Sequence, residues 1–178
     1  MHFAIIGQGL AGSALAYKAD NLGHKITCFD LNSDNTASRV AIGIINPLVL
    51  KNRTVFDKSD VLLNHCNTFY SEIEDLFEKQ LLLKNPIREI LYNSDEINNW
   101  KSLGKDSNLK KYIGRIEDPH ESISALGMGT VENSQRLDVK NYLSKIRDWL
   151  SQKHNVLNQE VISIFLSKSE VIVNGRKF

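Results

Sequence analysis

The spacing of apolar positions changes several times along the chain, and each change marks an element. His2 to Ile6 (HFAII) and Lys25 to Asp30 (KITCFD) are two apolar runs of strand length. Between them Ala11, Ala14, Leu15, Ala19 and Leu22 recur at helical spacing, and Gly23 stands where a left-handed cap ends a helix. Asn32 to Ala37 is polar and turn-rich, a loop. Asp57 to Lys79 predicts a long amphipathic helix. Its apolar stripe is Leu62, Cys66, Phe69, Ile73 and Leu76, Asp57 is its N-cap, Asp60 makes its first turn acidic, and His65 lies half-buried beside the stripe. Pro86 to Tyr92 predicts a strand, and Ser94 then caps a short helix through Trp100. Leu109 to Ile116 predicts another strand, broken by Asp118-Pro119, and Gly127 to Val131 a strand crossing back toward the first domain. Asp138 caps a helix through about Lys153, with Val139, Tyr142, Leu143, Ile146, Trp149 and Leu150 on one face. Val156 to Ile162 predicts the next strand. Ile164 to Leu166 and Val171 to Val173 are two further β-rich runs, and Asn174-Gly175 is a hairpin signal.

The opening strand–helix–strand unit carries chemistry. Gly7-Gln8-Gly9-Leu10-Ala11-Gly12 satisfies G-x-G-x-x-G directly after a strand, and Asp30 ends the second strand eighteen positions after Gly12. This is the dinucleotide-binding fingerprint in its required context. Gly7 lets the chain turn sharply, Gly9 lets backbone approach a pyrophosphate, and Gly12 lets the helix pack closely on the strand. The helix start offers unpaired N–H groups and the positive end of its dipole to phosphate. Asp30 accepts hydrogen bonds from ribose hydroxyls, and its charge argues against a 2′-phosphate. The fingerprint alone does not separate NAD from FAD.

Ser38 to Pro47 (SRVAIGIINP) is small and apolar, with Gly43 in its middle. Two readings are equally open from the residues: backbone lying close to something flat, or a buried connection. Together with the fingerprint, the run Val40-Ala41-Ile42-Gly43-Ile44-Ile45-Asn46-Pro47 resembles the FAD-dependent oxidoreductases of the D-amino-acid oxidase and glycine oxidase type. The resemblance implies FAD as cofactor. It places Gly7, Gly9, Leu10, Ala11, Gly12, Asp30 and Leu31 at the dinucleotide. It has the Ser38 hydroxyl reach the pyrophosphate, Arg39 contribute backbone N–H and charge, and Ala41, Gly43 and Ile44 line the flavin ring. Val161 would hold the adenine through its backbone. No residue is assigned a catalytic role, because the family's substrate-binding arginine and tyrosine lie in a later part of its pattern. Arg88, Arg115 and Tyr112 are not matched to them.

Length and charge narrow the rest. The chain's 178 residues suffice for one domain, or one and a small partner. Basic and acidic residues nearly cancel, 22 against 21, which gives no reason to expect nucleic acid or an anionic membrane as partner; Lys51, Arg53, Lys110 and Lys111 read as scattered surface charge. Cys28 and Cys66 fit no C-x-x-C pattern, Cys28 reads as a buried thiol, and a reduced, cytoplasmic setting fits. Glycines interrupt the N-terminal apolar stretch, which also lacks a positive flank, so it is not read as a signal peptide. No run is long enough to span a membrane. His120 and Glu121 have no third ligand at metal-site spacing and read as loop surface.

The fold class expected is α/β: a partial Rossmann-like FAD-binding domain (1–83 and 134–178) with a partial α+β substrate-binding insert at 84–133. Three parallel strands and a barely begun hairpin return at Arg176 suggest the N-terminal part of a longer oxidoreductase. A natural truncation, a frameshifted gene, an incomplete record or a cut chain would each give this. By resemblance the full family oxidises amine or amino-acid CH–NH groups. Its small-molecule substrate stays open among a D-amino acid, glycine, an N-methylated glycine or an aminomethyl group on a modified tRNA base. The 178-residue chain is itself expected to turn over no amine. An NAD(H)-binding dehydrogenase domain and a non-catalytic nucleotide-binding remnant are the alternatives.

Overall fold

A computed structural model of the chain describes all residues except 50, 53 and 169; Arg53 thus lies outside the described residues. Met1–Ile42 with Val139–Phe178 forms one compact unit, and Gly43–Asp138 forms another. Packing divides the chain at positions 43 and 139, whereas the family resemblance divides it at 84 and 134. The two divisions rest on different criteria.

The first unit begins with β1 (His2–Ile6), α1 (Leu10–Asn21), β2 (Lys25–Phe29) and the single-turn α2 (Ala37–Val40). β1 and β2 pair in parallel from His2↔Lys25 to Ile6↔Phe29. α1 buries Ser13, Ala16, Tyr17 and Ala19. Ala11, Leu15 and Leu22, expected on its apolar face, are exposed. The small side chains face the sheet because they let the helix axis come close. Gly12 makes the closest approach: a Cβ there would overlap the Gly7 carbonyl oxygen and lie 3.3 Å from Ile5 Cγ2. Gly23, at φ +75°, supplies the left-handed residue that ends α1.

The second unit continues with β3 (Ile44–Ile45), β4 (Leu48–Val49), β5 (Thr54–Val55), α3 (Ser59–Phe77), β6 (Leu82–Leu83), β7 (Ile87–Leu91), α4 (Ser94–Leu103), β8 (Ile113–Glu117), β9 (Gly127–Val131) and β10 (Gln135–Leu137). β9 lies between β7 and β8 in an antiparallel sheet, and β10 lies between β3 and β6 in another. The core under the first sheet joins Leu48, Leu91, Trp100, Tyr112 and Val131. Trp100 lies against the backbone of Gly129, where a Cβ would sit 2.5 Å from its Cδ2, and its indole N–H donates to Gly114 O at 3.0 Å.

Expectations for three elements shift here. α3 starts at Ser59 after Lys58 in the left-handed region, with no side-chain cap from Asp57. Its inward line is Ser59, Leu63, Cys66, Tyr70, Ile73 and Phe77, so Leu62 and Leu76 face out and His65 is exposed. The helical period was legible; its phase was offset by one residue at several positions. α4 is capped by Asn93, which accepts from Glu96 N–H at 2.9 Å, one residue before the expected Ser94. Residues 109–112 form turns, because Asp106 Oδ1 accepts from the N–H groups of Asn108 and Leu109. The strand therefore begins only at Ile113.

The chain returns to the first unit through α5 (Val139–Lys153), β11 (Asn155–Leu157), β12 (Ile164–Leu166), β13 (Val171–Val173) and β14 (Arg176–Lys177). All six apolar positions expected on the inner face of α5 are buried. β11 pairs in parallel with β2, giving the order β1-β2-β11. It stops at Leu157, short of the expected Ile162, where Gln159 N–H bonds back to Leu157 O at 2.9 Å in a tight three-residue turn. Asn174 and Gly175, both at positive φ, join β13 to the two-residue β14.

Two outcomes test this packing. Gly12→Ala should cost more than about 2 kcal/mol, since backbone must give way, and urea denaturation reads it. Asp20 on α1 accepts from Lys153 Nζ at 3.0 Å and pairs with His154 Nε2 at 2.9 Å. Burial raises its pKa, but the hydrogen bonds and charges of Lys153 and His154 outweigh that and hold it below the ordinary 3.8. A lowered folded-state pKa means this stabilisation is present above the unfolded value and lost as pH falls through the folded one. Asp20→Asn should therefore cost about 1 kcal/mol at neutral pH, with the difference from the parent chain closing below pH 4 in pH-stepped melts.

A candidate dinucleotide site at the carboxyl ends of the parallel strands

The glycine loop turns out of β1 at Gly7, whose φ of +88° favours glycine. Gly7 N–H still bonds Phe29 O at 2.8 Å, so the turn starts from a fixed point on β2. Gly9 caps α1 in extended conformation and offers no side-chain acceptor to the first turn. A Cβ on Gly9 would meet Ser38 Oγ at 2.5 Å. That close approach lets Ser38 Oγ accept from Leu10 N–H at 3.1 Å. The first turn holds no acidic residue, so nothing on the helix itself opposes an anion at its positive end.

Asp30 follows directly on β2 and is held from three sides. Its Oδ2 accepts from Gln8 N–H at 2.8 Å, and its Oδ1 accepts from Asn32 N–H at 2.8 Å and from Arg147 at 3.0 Å. Arg147 comes from α5, and its side chain and that of Asp30 are each 14% exposed. The same guanidinium donates to Gln8 Oε1 at 3.2 Å and to Asn158 Oδ1. Gln8 is buried, and its Nε2 donates to Ser13 Oγ and to Leu143 O, both at 3.0 Å. One network thus joins the glycine loop, α1, the end of β2, α5 and the residue after β11. Beneath it Cys28 is fully buried, and burial with the nearby Asp30 charge pushes its thiol up to about 11; it is not a nucleophile at neutral pH.

The remaining expected positions are placed as follows. Leu31 is exposed beside Asp30, and Ser38 and Arg39 sit half-buried on α2. The Arg39 guanidinium pairs with Asn32 and lies 3.8 Å from Asp34, so its charge is partly engaged by this chain's own loop. Ala41 belongs to the first unit, whereas Gly43, at φ +80°, and Ile44 belong to the second. Val40, Ile42 and Ile44 are exposed apolar residues. Val161 lies in the irregular stretch after β11 rather than in a strand. Gln8 and Arg147 were not singled out from sequence. Arg147 borders the apolar face of α5 one position after Ile146, a boundary placement that was its only signal.

The second unit holds an open cleft of about 1060 Å³, with Arg88, Arg115, Glu117, Thr130, Glu132 and Gln135 among its lining residues. Arg88 Nε donates to Glu117 at 2.7 Å, and Arg115 lies on the other carboxylate oxygen at 2.9 Å. These bonds hold the Glu117 carboxyl below the usual range. Both arginines therefore share this one carboxylate. Tyr112 donates to Asp60, which also binds Lys111. Among the described residues no group of His, Cys, Asp and Glu could hold a metal, and no helix is long and apolar enough to cross a membrane.

No protein-family model matches the chain. Solved structures do share its fold. Iminodiacetate oxidase from Chelativorans sp. BNC1 superposes with a TM-score of 0.73 at 18% identity, over 100% of this chain and 52% of that one. Glycine oxidase from Bacillus cereus ATCC 14579 gives 0.71 at 16%, over 98% and 53%. L-α-glycerophosphate oxidase from Mycoplasma pneumoniae, with FAD bound, gives 0.63 at 18%, over 96% and 48%. The chain thus spans about half the length of these structures and shares the fold of that half, an α/β arrangement of mixed parallel and antiparallel sheets.

Proposed function

We propose that the chain supplies the dinucleotide-binding part of an FAD-dependent oxidoreductase acting on amine or amino-acid CH–NH groups. The observation that carries this reading is the cradle at the start of α1. There Gly9 leaves room for Ser38, Ser38 caps Leu10, and Asp30 stands beside the loop. The fold shared with iminodiacetate and glycine oxidases supports the substrate class, a small amine or amino acid, and the FAD of the glycerophosphate oxidase supports the cofactor.

In this reading the first-turn N–H groups of Ala11 and Gly12 face the pyrophosphate with the helix dipole behind them. Ser38 Oγ accepts from Leu10, which leaves its own proton free to donate to a phosphate oxygen. Asp30 receives a ribose hydroxyl. The exposed apolar Val40 and Ile42 of the first unit suit contact with an extended apolar ring system; this supports FAD over NAD(H). When bound, FAD would take two electrons as hydride from the CH carbon of an amine CH–NH group, with the N–H proton lost as C–N becomes C=N. The chain's own part is to bind and orient it.

Titration of FAD with the purified chain should give saturable quenching of flavin fluorescence, while NADH under the same conditions binds more weakly. Ser38→Ala should weaken FAD about fivefold, the loss of one hydrogen bond worth about 1 kcal/mol. A chain that leaves FAD fluorescence unchanged at millimolar concentrations would sink the reading.

A further inference from the structure

We infer that Arg147 is a positioning residue of the dinucleotide site: it holds the Asp30 carboxylate so that a single acceptor position, on Oδ2, is presented to a ribose hydroxyl. This rests on the dinucleotide reading above and goes beyond it, since Arg147 lies on a distant helix outside the fingerprint. A carboxylate has about four acceptor positions, two on each oxygen. Asp30 Oδ1 has both in use, by Asn32 N–H at 2.8 Å and by Arg147 at 3.0 Å. Oδ2 has one in use, by Gln8 N–H at 2.8 Å. One position on Oδ2 is left over.

Arg147 is suited to this. Its planar fork reaches Gln8, Asp30 and Asn158, the residues that follow β1, β2 and β11 closely, so one guanidinium ties together the carboxyl ends of all three parallel strands. A lysine could not make these contacts at once. The pair is mostly out of water, at 14% exposure on each side chain, so removing the guanidinium would leave the carboxylate on its two backbone bonds alone, with a second acceptor position opened on Oδ1. Its charge matters too. Arg147 offsets the negative charge of Asp30, so that carboxylate repels the nearby phosphates of a dinucleotide less.

The test compares ADP with 2′,3′-dideoxy-ADP on the full chain by calorimetry, in the parent, Arg147→Met and Arg147→Lys, with circular dichroism confirming the fold of each. In the parent, removing both hydroxyls should weaken binding about tenfold, the scale of one hydrogen bond to a charged acceptor. In Arg147→Met that ratio should fall below about threefold, and in Arg147→Lys it should also fall, because charge without the fork does not tie Asp30 Oδ1 to Gln8 and Asn158. A merely structural arginine would weaken both ligands alike and leave the ratio unchanged; an unchanged ratio in whichever variant folds overturns the inference. A parent chain that binds neither ADP nor FAD overturns the dinucleotide reading itself, and the inference with it.

Discussion

The closeness of α1 to β1 at Gly12 is the constraint on which the candidate site depends. With no side chain there, the helix starts almost in contact with the carbonyl of Gly7. Its first turn therefore lies directly over the end of the sheet, and the loop between strand and helix is only three residues long. A short loop has few ways to run, so Gly7 takes positive φ and Gly9 becomes a bare helix cap. The anion-attracting end of the helix is in this sense a by-product of tight packing.

What surrounds that helix end is a balance of polar groups rather than a charged pocket. Ser38 stands in for the missing N-cap side chain. Asp30 brings a negative charge, and Arg147 offsets it. α5 thus has two roles in the first unit: its apolar face builds the core, and the arginine at the border of that face joins the strand ends. The second unit solves a separate problem by similar means. Gly129 yields its side-chain space to Trp100, and in the cleft Arg88 and Arg115 share Glu117.

Much of the local structure was legible in the residues. The glycine spacing, the left-handed Gly23, the inner face of α5 and the Asn174-Gly175 turn depend only on neighbours in sequence. Errors arose where a pattern left one degree of freedom open. In α3 the period of apolar residues was correct, but whether Leu62 or Leu63 pointed inward depended on what lay beneath. In α1 the helical period held but Ala11, Leu15 and Leu22 face out, while Ser13, Ala16 and Tyr17 lie inward with Ala19. β11 was drawn too long because the bond from Gln159 back to Leu157 leaves no mark in hydrophobicity.

By itself the sequence determined where a dinucleotide's phosphates could be held, because strand, glycine turn and helix are contiguous and their chemistry is local. Only the tertiary structure decided how the acid at the end of β2 is presented. Its partner Arg147 lies 117 positions away. No spacing rule links two side chains whose meeting depends on a helix packed against the sheet and on a third strand laid beside β2.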